Sequence, residues 1–546
     1  MINKIKTIIS KPKARVYIYI TIIVGVTLAV YYPSFWHLLR GEMYTFFMDS
    51  MGKTSAVSLV ENYYNYEMVR VFDAGDSLAF RPLLFGMVGI QAGLFGANYI
   101  WWHITAFVFH LIATLCLFRL LWKIRPSVIT LLLTIFFSTS FMVMATILYE
   151  QISSYALVAA LIMTSMYYVH CGTRSGRTKH LILAAISIMV ACFIYEVGFV
   201  MTVLLIGYCW LERKNHVFKW KRWVLAFTAV ICIYVSCYTV ETLLNPTDTT
   251  ERDFNRIVSI SNINPILSNG NRLTTYWLTQ TLRSTRFNVE VDSNFRANPI
   301  NIKPTVQEWI IYREEGKLLT SEVTSGNTPI ILTILNWAAI VLLVSAFFFK
   351  PNGFKQKVST QFLLLTTISP FVIAGANALY RGSTHTRDYF MSDANYNMYL
   401  WMCLFIIAIY CFLSLKKFSK LHIGIIATSI LIFISLGLPI TYRLNQEVKD
   451  DGEPIRAYFE EIDEFISMRR PEDERDFSFN ATINSSDQED RLEVLLWKGL
   501  SWEESFTPYY FTMTEILYWR YWDNENPKYT LIYHSEEKEL EVIKNE

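Results

Sequence analysis

Long apolar runs recur along this chain and limit what it can fold into. Each run is long enough to cross a hydrocarbon layer of about 30 Å, which takes roughly 20 helical residues. Hydrophobic residues make up 53% of the 546 positions and charged residues only 18%, below the ~25% usual in soluble domains. This composition excludes a disordered chain and a simple soluble enzyme, and it predicts an α-helical polytopic membrane protein.

The apolar runs predict about eleven transmembrane helices. Basic residues precede the first run as they would in a secretory signal, but no small-residue cleavage site follows it. Aromatic residues close this run as an interfacial belt does, so we interpret it as an uncleaved span. The predicted spans are 16–32, 99–122, 128–146, 154–170, 180–195, 197–211, 223–243, 329–349, 360–379, 398–415 and 421–442.

A shorter apolar segment, 83–95, decides the topology. It is too short to cross and is predicted as an external juxtamembrane helix, either re-entrant or lying on the surface. With this segment left out of the count, the basic loops 123–125, 174–179, 213–222, 350–357 and 416–420 all fall on one side, which the positive-inside rule makes the cytoplasm. We therefore predict an integral protein of the bacterial cytoplasmic membrane, with its N-terminus in the cytoplasm and its C-terminus outside.

This topology puts the long polar segments outside the membrane. Residues 1–442 are predicted as a transmembrane domain with external loops 33–98 and 244–328, and residues 443–546 as a small external α/β domain. The C-terminal segment mixes acidic and aromatic stretches and has a predicted strand at 529–533. Function is therefore expected at the external face.

Charge balance and cysteine positions restrict the partners. The 49 basic and 47 acidic residues nearly cancel, and nothing in their distribution predicts a nucleic-acid partner. All eight cysteines lie in or beside predicted spans, and no Cys or His pairing has metal-ligand spacing. The sequence thus predicts neither a disulfide framework nor a zinc site, and it leaves open the oligomeric state and the use of another divalent metal.

Ionisable side chains within or at the ends of spans are costly and are therefore functional candidates. His103 and His110 share one face of the second span, and for this pair packing inside the bundle is favoured over a ligand role. The candidates on the external side are Glu42, Asp49, Asp73, Asp76, Arg81, Glu150, Glu196, Glu241, Arg381, His385, Arg387 and Asp388.

A series of these residues resembles the membrane region of GT-C superfamily glycosyltransferases. The resemblance is strongest to the branch with the tetratricopeptide-bearing protein O-mannosyltransferases and many bacterial relatives, and it covers roughly the first 210 residues. It rests on Phe47-Met-Asp49, Arg81-Pro82-Leu83, the helix end Phe95-Gly96, His103, His110, Glu150, Tyr195-Glu196 and, more weakly, Arg387-Asp-Tyr389-Phe390. Asp49 stands alone where such proteins usually have paired acids, Tyr195 replaces a Lys, and no tetratricopeptide repeats follow.

The resemblance implies a transferase that moves a sugar from a polyprenyl-phosphate carrier to a glycan, lipid or protein acceptor at the external face. The donor is then a lipid-phosphate sugar, and no other cofactor is implied. Such chemistry needs a carboxylate to deprotonate an acceptor hydroxyl and a cation to hold the departing phosphate. We assign Asp49 as the catalytic base with Glu42 in reserve, and Arg387 to the phosphate with Arg81 as a competing cation. Arg81-Pro82 is equally well explained as a helix start.

Three other interpretations stay open at this stage. A flippase or transporter for a lipid-linked saccharide is also polytopic, but such proteins usually have repeated halves or paired broken helices, which this sequence lacks. A saccharide polymerase or ligase fits the same layout as a transferase. A structural subunit without catalysis is the third possibility, and loss of function at Asp49 separates it from an enzyme.

Overall fold

The fold is described from a computed structural model. It describes residues 12–36, 80–95, 99–140, 143, 146–147, 150–244, 288–291, 297–303, 313–314, 317–318, 335, 338–342, 344, 359–381, 387–415, 420–451, 477–479, 529–534 and 539–544. The helices are α1 Pro12–Tyr31, α2 Pro82–Phe95, α3 Tyr99–Ile124, α4 Val128–Ser138, α5 Glu150–Ser175, α6 Thr178–Ile194, α7 Val197–Leu211, α8 Trp220–Leu244, α9 Thr360–Arg381, α10 Arg387–Leu415 and α11 Lys420–Asp451.

The helices support the prediction of an integral membrane protein. Among the described residues, five segments are long and apolar enough to cross a membrane by length and composition. They are Lys13–Trp36, Ile100–Ile124, Ser153–Ser175, Trp220–Val240 and Lys420–Pro439. The predicted spans coincide with described helices except at two places: 329–349 lies largely outside the described residues, and 128–146 is interrupted.

Contacts between helices define two ends of the bundle. Tyr19 of α1 packs edge-on against Trp122 near the end of α3, with ring centroids 5.6 Å apart. Phe362 of α9 packs 4.8 Å from His170 near the end of α5. The described helix termini next to the basic loops therefore lie at one end of the bundle, here called the basic end. The opposite end of the bundle is called the Arg81 end. This alternation agrees with the predicted loop charges, whereas the assignment of the basic end to the cytoplasm stays a prediction.

Helix α2 does not cross the bundle. The residue before Arg81, Phe80, packs 6.0 Å from Tyr238 near the end of α8. At the other end of α2, Phe95 stacks on Trp101 in the first turn of α3, at 6.3 Å. Both of these contacts lie at the Arg81 end, and 14 residues are too few for a span. The choice to leave 83–95 out of the span count is therefore supported.

The predicted span 128–146 is wrong as a continuous helix, because α4 ends at Ser138. The hydroxyls of Thr134 and Thr139 donate to the carbonyls of Thr130 and Ile135, both at 2.8 Å. Such local bonds give the backbone an alternative to helical hydrogen bonding. Eleven residues of α4 span only about 17 Å, so the break falls within the bundle.

Side chains from three other helices satisfy the carbonyl groups at this break. His110 Nε2 of α3 donates to Ser138 O at 3.0 Å, and Thr441 Oγ1 of α11 donates to Thr139 O at 2.9 Å. Tyr31 Oη of α1 lies 3.5 Å from Ser140 O. Non-helical backbone is tolerated at membrane depth only when protein groups or water satisfy it, and these bonds fulfil that condition.

The described strands lie in the predicted external segments. In the loop 244–328, β1 Asn288–Val291 pairs antiparallel with β2 Ala297–Lys303, and β3 Arg313–Glu314 with β4 Lys317–Leu318. In the C-terminal segment, β5 Phe477–Phe479 pairs parallel with β6 Tyr529–His534, which pairs antiparallel with β7 Glu539–Lys544. The predicted strand at 529–533 is confirmed. The domain boundary drawn at 442 falls inside α11, which continues to Asp451.

Candidate functional site

An ion pair joins Arg81 to Glu196 at the Arg81 end. Arg81 Nε donates to Glu196 Oε1 at 2.8 Å, across a sequence separation of 115 residues. The two side chains are 17% and 30% exposed, so solvent or a ligand can reach both of them. Two external candidates, selected separately from the sequence, therefore meet in one place.

Glu196 lies at a sharp junction between two antiparallel helices. Helix α6 ends at Ile194 and α7 begins at Val197, so only Tyr195 and Glu196 connect them. Tyr195 has extended dihedral angles (φ −149°, ψ 144°), and Glu196 O accepts the amide hydrogen of Phe199 at 2.9 Å. The first turn of α7 thereby fixes the backbone of Glu196 at the tip of the hairpin.

A glycine allows the two helices of this hairpin to approach. A Cβ atom added to Gly198 would lie 2.5 Å from the Cys192 backbone nitrogen and 2.6 Å from the Ala191 carbonyl carbon. Both of these atoms belong to the backbone of α6 and cannot turn aside as a flexible side chain would. Gly198 is thus required for the junction that holds Glu196.

Replacement of Gly198 by Ala should destabilise the protein by about 1–3 kcal/mol, because overpacking forces the backbones of α6 and α7 apart. Gly207→Ala on the same helix is the matched control, since its added Cβ would meet no neighbouring helix within 4 Å. Gly207→Ala should leave stability unchanged or raise it by up to about 1 kcal/mol. Thermal denaturation of both purified variants tests this. Equal midpoints would mean that the hairpin relaxes without cost.

Arg81 is positioned by the residues on either side of it. Phe80 is buried, and its ring packs against Phe193 at 6.0 Å and Tyr234 at 5.7 Å. Its carbonyl accepts the Tyr234 hydroxyl at 3.4 Å. On the other side, Pro82 is the first residue of α2, a position that proline favours. The helix-start interpretation of Arg81-Pro82 is therefore correct, and it is compatible with a functional Arg81.

Tyrosine rings pack against the Arg81 guanidinium of the ion pair. The guanidinium carbon of Arg81 lies 4.7 Å from the centroid of the Tyr195 ring, within the range of a cation–π interaction. Tyr195 in turn packs edge-on against the buried Tyr155, with centroids 4.9 Å apart. Glu196 thus holds the edge of the guanidinium group while Tyr195 supports its face. Sequence reasoning missed Tyr155 and Tyr234, because tyrosines in spans usually serve packing alone.

The structure brings together only some of the predicted site residues. His110 is fully buried, with Nδ1 at 2.7 Å from Tyr399 Oη and Nε2 on Ser138 O, so the packing interpretation of this histidine holds. His103 is also buried, at 1% exposure, on the same helix. Glu150 and Arg387 are the first residues of α5 and α10, and Arg381 is the last residue of α9. Asp49 and Glu42 lie outside the described residues, as do Asp73, Asp76 and His385.

No metal centre is found in the part of the chain that the structure describes. Within it, no three His, Cys, Asp or Glu side chains are grouped so that they could hold an ion. The Arg81–Glu196 pair offers a guanidinium and a carboxylate beside tyrosine rings. Such a set can bind an anion and can orient or accept a proton.

Comparison with solved structures gives a low similarity, whereas the two other comparisons give no match. No protein-family model matches the chain, and no curated protein matches it. Among solved structures, the chain is similar to the crystal structure of ArnT from Cupriavidus metallidurans bound to undecaprenyl phosphate. The two chains are 11% identical, with 96% of this chain and 94% of that one covered, and the TM-score is 0.34. A TM-score this low does not establish a shared fold, so the family stays a prediction from the sequence.

Proposed function

We propose that this protein is a membrane glycosyltransferase that transfers a sugar from a polyprenyl-phosphate carrier to an acceptor at the external face. The observation that carries the proposal is the Arg81–Glu196 pair, a partly exposed cation and carboxylate at one end of a membrane bundle. Charged groups at the ends of spans are costly unless they serve a function or are paired. Here the pair is also open to a ligand.

Helix α2 offers a place for the lipid tail beside this cation. Its Leu83, Ile90 and Leu94 are 41%, 51% and 71% exposed and form one stripe along the helix, whereas Leu84 and Val88 are buried. An exposed apolar stripe at a membrane surface is suited to contact acyl or prenyl chains. Because α2 starts directly after Arg81, a carrier whose tail lies along α2 would bring its phosphate to the guanidinium.

The proposed reaction is a displacement at the anomeric carbon of the donor sugar. The acceptor oxygen forms a bond to this carbon, the bond between the carbon and the carrier phosphate oxygen breaks, and the acceptor proton goes to a carboxylate. We assign Asp49 as that base, Arg81 and Arg387 as the cations that stabilise the departing phosphate, and Glu42 as the reserve base. Glu196 is a positioning residue, since it accepts the Nε hydrogen and thereby orients the guanidinium towards the phosphate.

The remaining parts of the proposal concern the surroundings of the site. We propose that the Arg81 end faces outwards from a bacterial cytoplasmic membrane and that residues 443–546 form the external domain that helps select the acceptor. The exposed aromatic residues expected there suit stacking on sugars or peptides. The oligomeric state is left open.

The experiment that tests the proposal separates transfer from transport. Purified protein in liposomes receives labelled undecaprenyl-phosphate sugars, with membranes of a deletion strain as the source of acceptor. A transferase releases undecaprenyl phosphate and labels the acceptor, whereas a transporter moves the donor without releasing carrier. Mass spectrometry of envelope glycans from the deletion strain and its parent identifies the missing product. Movement of the donor without release of carrier would overturn the proposal.

Arg81→Lys and Arg81→Gln should lower transfer by about tenfold and about a hundredfold, because hydrogen bonds to charged groups contribute about 1.5–3 kcal/mol and Lys cannot reproduce the planar fork. The measured quantity is the rate of carrier release at saturating acceptor. Arg213→Gln is the matched control: this exposed arginine lies at the basic end, 4.0 Å over the Trp210 ring. Full activity in both Arg81 variants would mean that the Arg81–Glu196 pair stabilises the structure and does not act in transfer.

A further inference from the structure

An arginine near the basic end of α3 is not used by the proposed reaction. Arg119 lies within the membrane-spanning segment Ile100–Ile124, five residues or about 8 Å before its end. It is exposed on the outside of the bundle. Among the residues that the structure describes, no carboxylate forms a salt bridge with it. A cation inside a span without a carboxylate partner is a functional candidate by default.

Two tyrosine rings of α5 hold this arginine in place, and a histidine of α6 packs on one of them. Its guanidinium carbon lies 4.3 Å from the ring centroid of Tyr167 and 5.7 Å from that of Tyr168. The other neighbour of Tyr168 is His180, whose ring stacks on it at 5.9 Å and 26°. Ser175 donates its hydroxyl hydrogen to Cys171 O, so its oxygen accepts from His180 Nδ1 at 2.9 Å. Arg119 is therefore held in a defined position by contacts with the neighbouring helix α5.

Further positive charges surround the same place. Lys123, Arg177 and Lys179 are all exposed, and the charges of all three act on the His180 ring. The turn that brings Arg177 and Lys179 there depends on Gly176, whose φ of 61° is left-handed and whose added Cβ would lie 2.7 Å from Val217 O. The turn thus fixes the two cations at the start of α6, near His180.

Among the residues that the structure describes, no carboxylate forms a salt bridge with this cluster. Between residues 99 and 244 the sequence has only four acidic residues, and Glu150, Glu196 and Glu241 lie towards the Arg81 end. The fourth, Glu212, is 5% exposed and accepts hydrogen bonds from Tyr208 and Asn215. The surface around Arg119 therefore keeps its positive charge.

We propose that Arg119, Lys123, Arg177 and Lys179 bind the phosphate headgroup of an anionic phospholipid, with Tyr167, Tyr168 and His180 lining the site. Basic pockets between transmembrane helices bind such headgroups, and tyrosine is enriched at that depth of the bilayer. Basic residues in loops are explained by the positive-inside rule and do not by themselves indicate a binding site. Arg119 differs from them because it lies inside the span, about 8 Å before its end. The proposal is independent of the proposed function.

Native mass spectrometry of the full chain tests the proposal with phosphatidylglycerol and with phosphatidylethanolamine of the same acyl chains. Phosphatidylglycerol should bind at least tenfold more tightly, and Arg119→Gln should weaken its binding by about tenfold. Arg213→Gln removes the same charge from another exposed arginine, which also lies over an aromatic ring. This control should change binding by less than twofold.

Three outcomes would overturn the proposal. They are equal binding of the two lipids, equal loss in Arg119→Gln and Arg213→Gln, and complete displacement of phosphatidylglycerol by millimolar inorganic phosphate. The last outcome would indicate a site for free phosphate. Denaturation midpoints in phosphatidylethanolamine check that each variant is folded. Lys123→Gln provides the same test if Arg119→Gln does not fold.

Discussion

Asp49→Asn should lower the turnover of sugar transfer by about 10²–10⁴-fold, the usual contribution of a positioned general base, while donor binding stays unchanged. Asparagine keeps the size of the side chain and its hydrogen bonding but cannot accept the proton of the acceptor hydroxyl. Asp49 belongs to the segment between Trp36 and Phe80. Phe80 is packed at the Arg81 end, and Trp36 lies 5.8 Å from Lys449 Nζ in the last turn of α11, at the same end. The segment with Asp49 therefore begins and ends at the Arg81 end of the bundle, where the proposed phosphate site also lies.

The decisive measurement compares Asp49→Asn with two other carboxylate variants of the same segment. Glu42→Gln tests the reserve base, and Glu61→Gln is a control that removes one negative charge without a proposed role. Carrier release and binding of undecaprenyl phosphate are measured for each purified protein. An active Asp49→Asn beside an inactive Glu42→Gln reverses the assignment. Full activity in all three variants would mean that neither Asp49 nor Glu42 is the catalytic base.

Much of the helical layout could be predicted, because the membrane imposes a single length scale. A segment must be apolar over about 30 Å to cross, and its end loops carry the charges that fix its direction. The pairing of Tyr19 with Trp122 and of Phe362 with His170 agrees with the alternation that the basic loops predict. The segment 83–95 was separated from the spans by its length together with the charges of the basic loops.

The break after α4 could not be predicted from hydropathy, because serine and threonine are tolerated in membrane helices. The local signal is the run Ser138-Thr139-Ser140, in which the hydroxyls of Ser138 and Thr139 both donate to Ile135 O of their own helix. Whether such a run ends a helix depends on partners for the released carbonyls. Those partners come from α1, α3 and α11, which are distant in sequence, so only the tertiary structure reveals the break.

The Arg81–Glu196 pair shows a similar division between what can and cannot be predicted. Each residue was recognisable as a charge at the end of a membrane segment, but their separation of 115 residues offers no local clue to the pairing. The pairing depends on two tertiary features: the hairpin tip that Gly198 permits and the burial of Phe80 between α6 and α8. The functional candidates were thus predictable individually, and their arrangement was not.

His110→Ala should lower the free energy of unfolding by about 3–5 kcal/mol, the range for removing a large buried ring. The variant leaves a cavity between Tyr31, Phe137 and Tyr399, whose rings lie 5.3, 5.8 and 5.8 Å from His110. It also leaves Ser138 O at the helix break without the hydrogen bond from Nε2, and an unsatisfied buried carbonyl costs about 1–3 kcal/mol. Transfer per folded molecule should stay within about twofold of wild type, because the proposed reaction does not use this histidine.

Thermal denaturation of the purified protein measures this loss of stability. Two further variants separate the contribution of the hydrogen bonds from that of the ring. His110→Phe keeps an aromatic ring in the site, slightly larger than the imidazole, and loses the hydrogen bonds, so it should cost about 1–3 kcal/mol. Thr105→Ala on the same helix removes an exposed hydroxyl that bonds to Trp101 O of its own helix, and it should cost less than about 0.5 kcal/mol. Wild-type stability together with abolished transfer in His110→Ala would assign His110 to the reaction. A large loss of stability with normal transfer would instead establish that its role is to hold the broken helix in place.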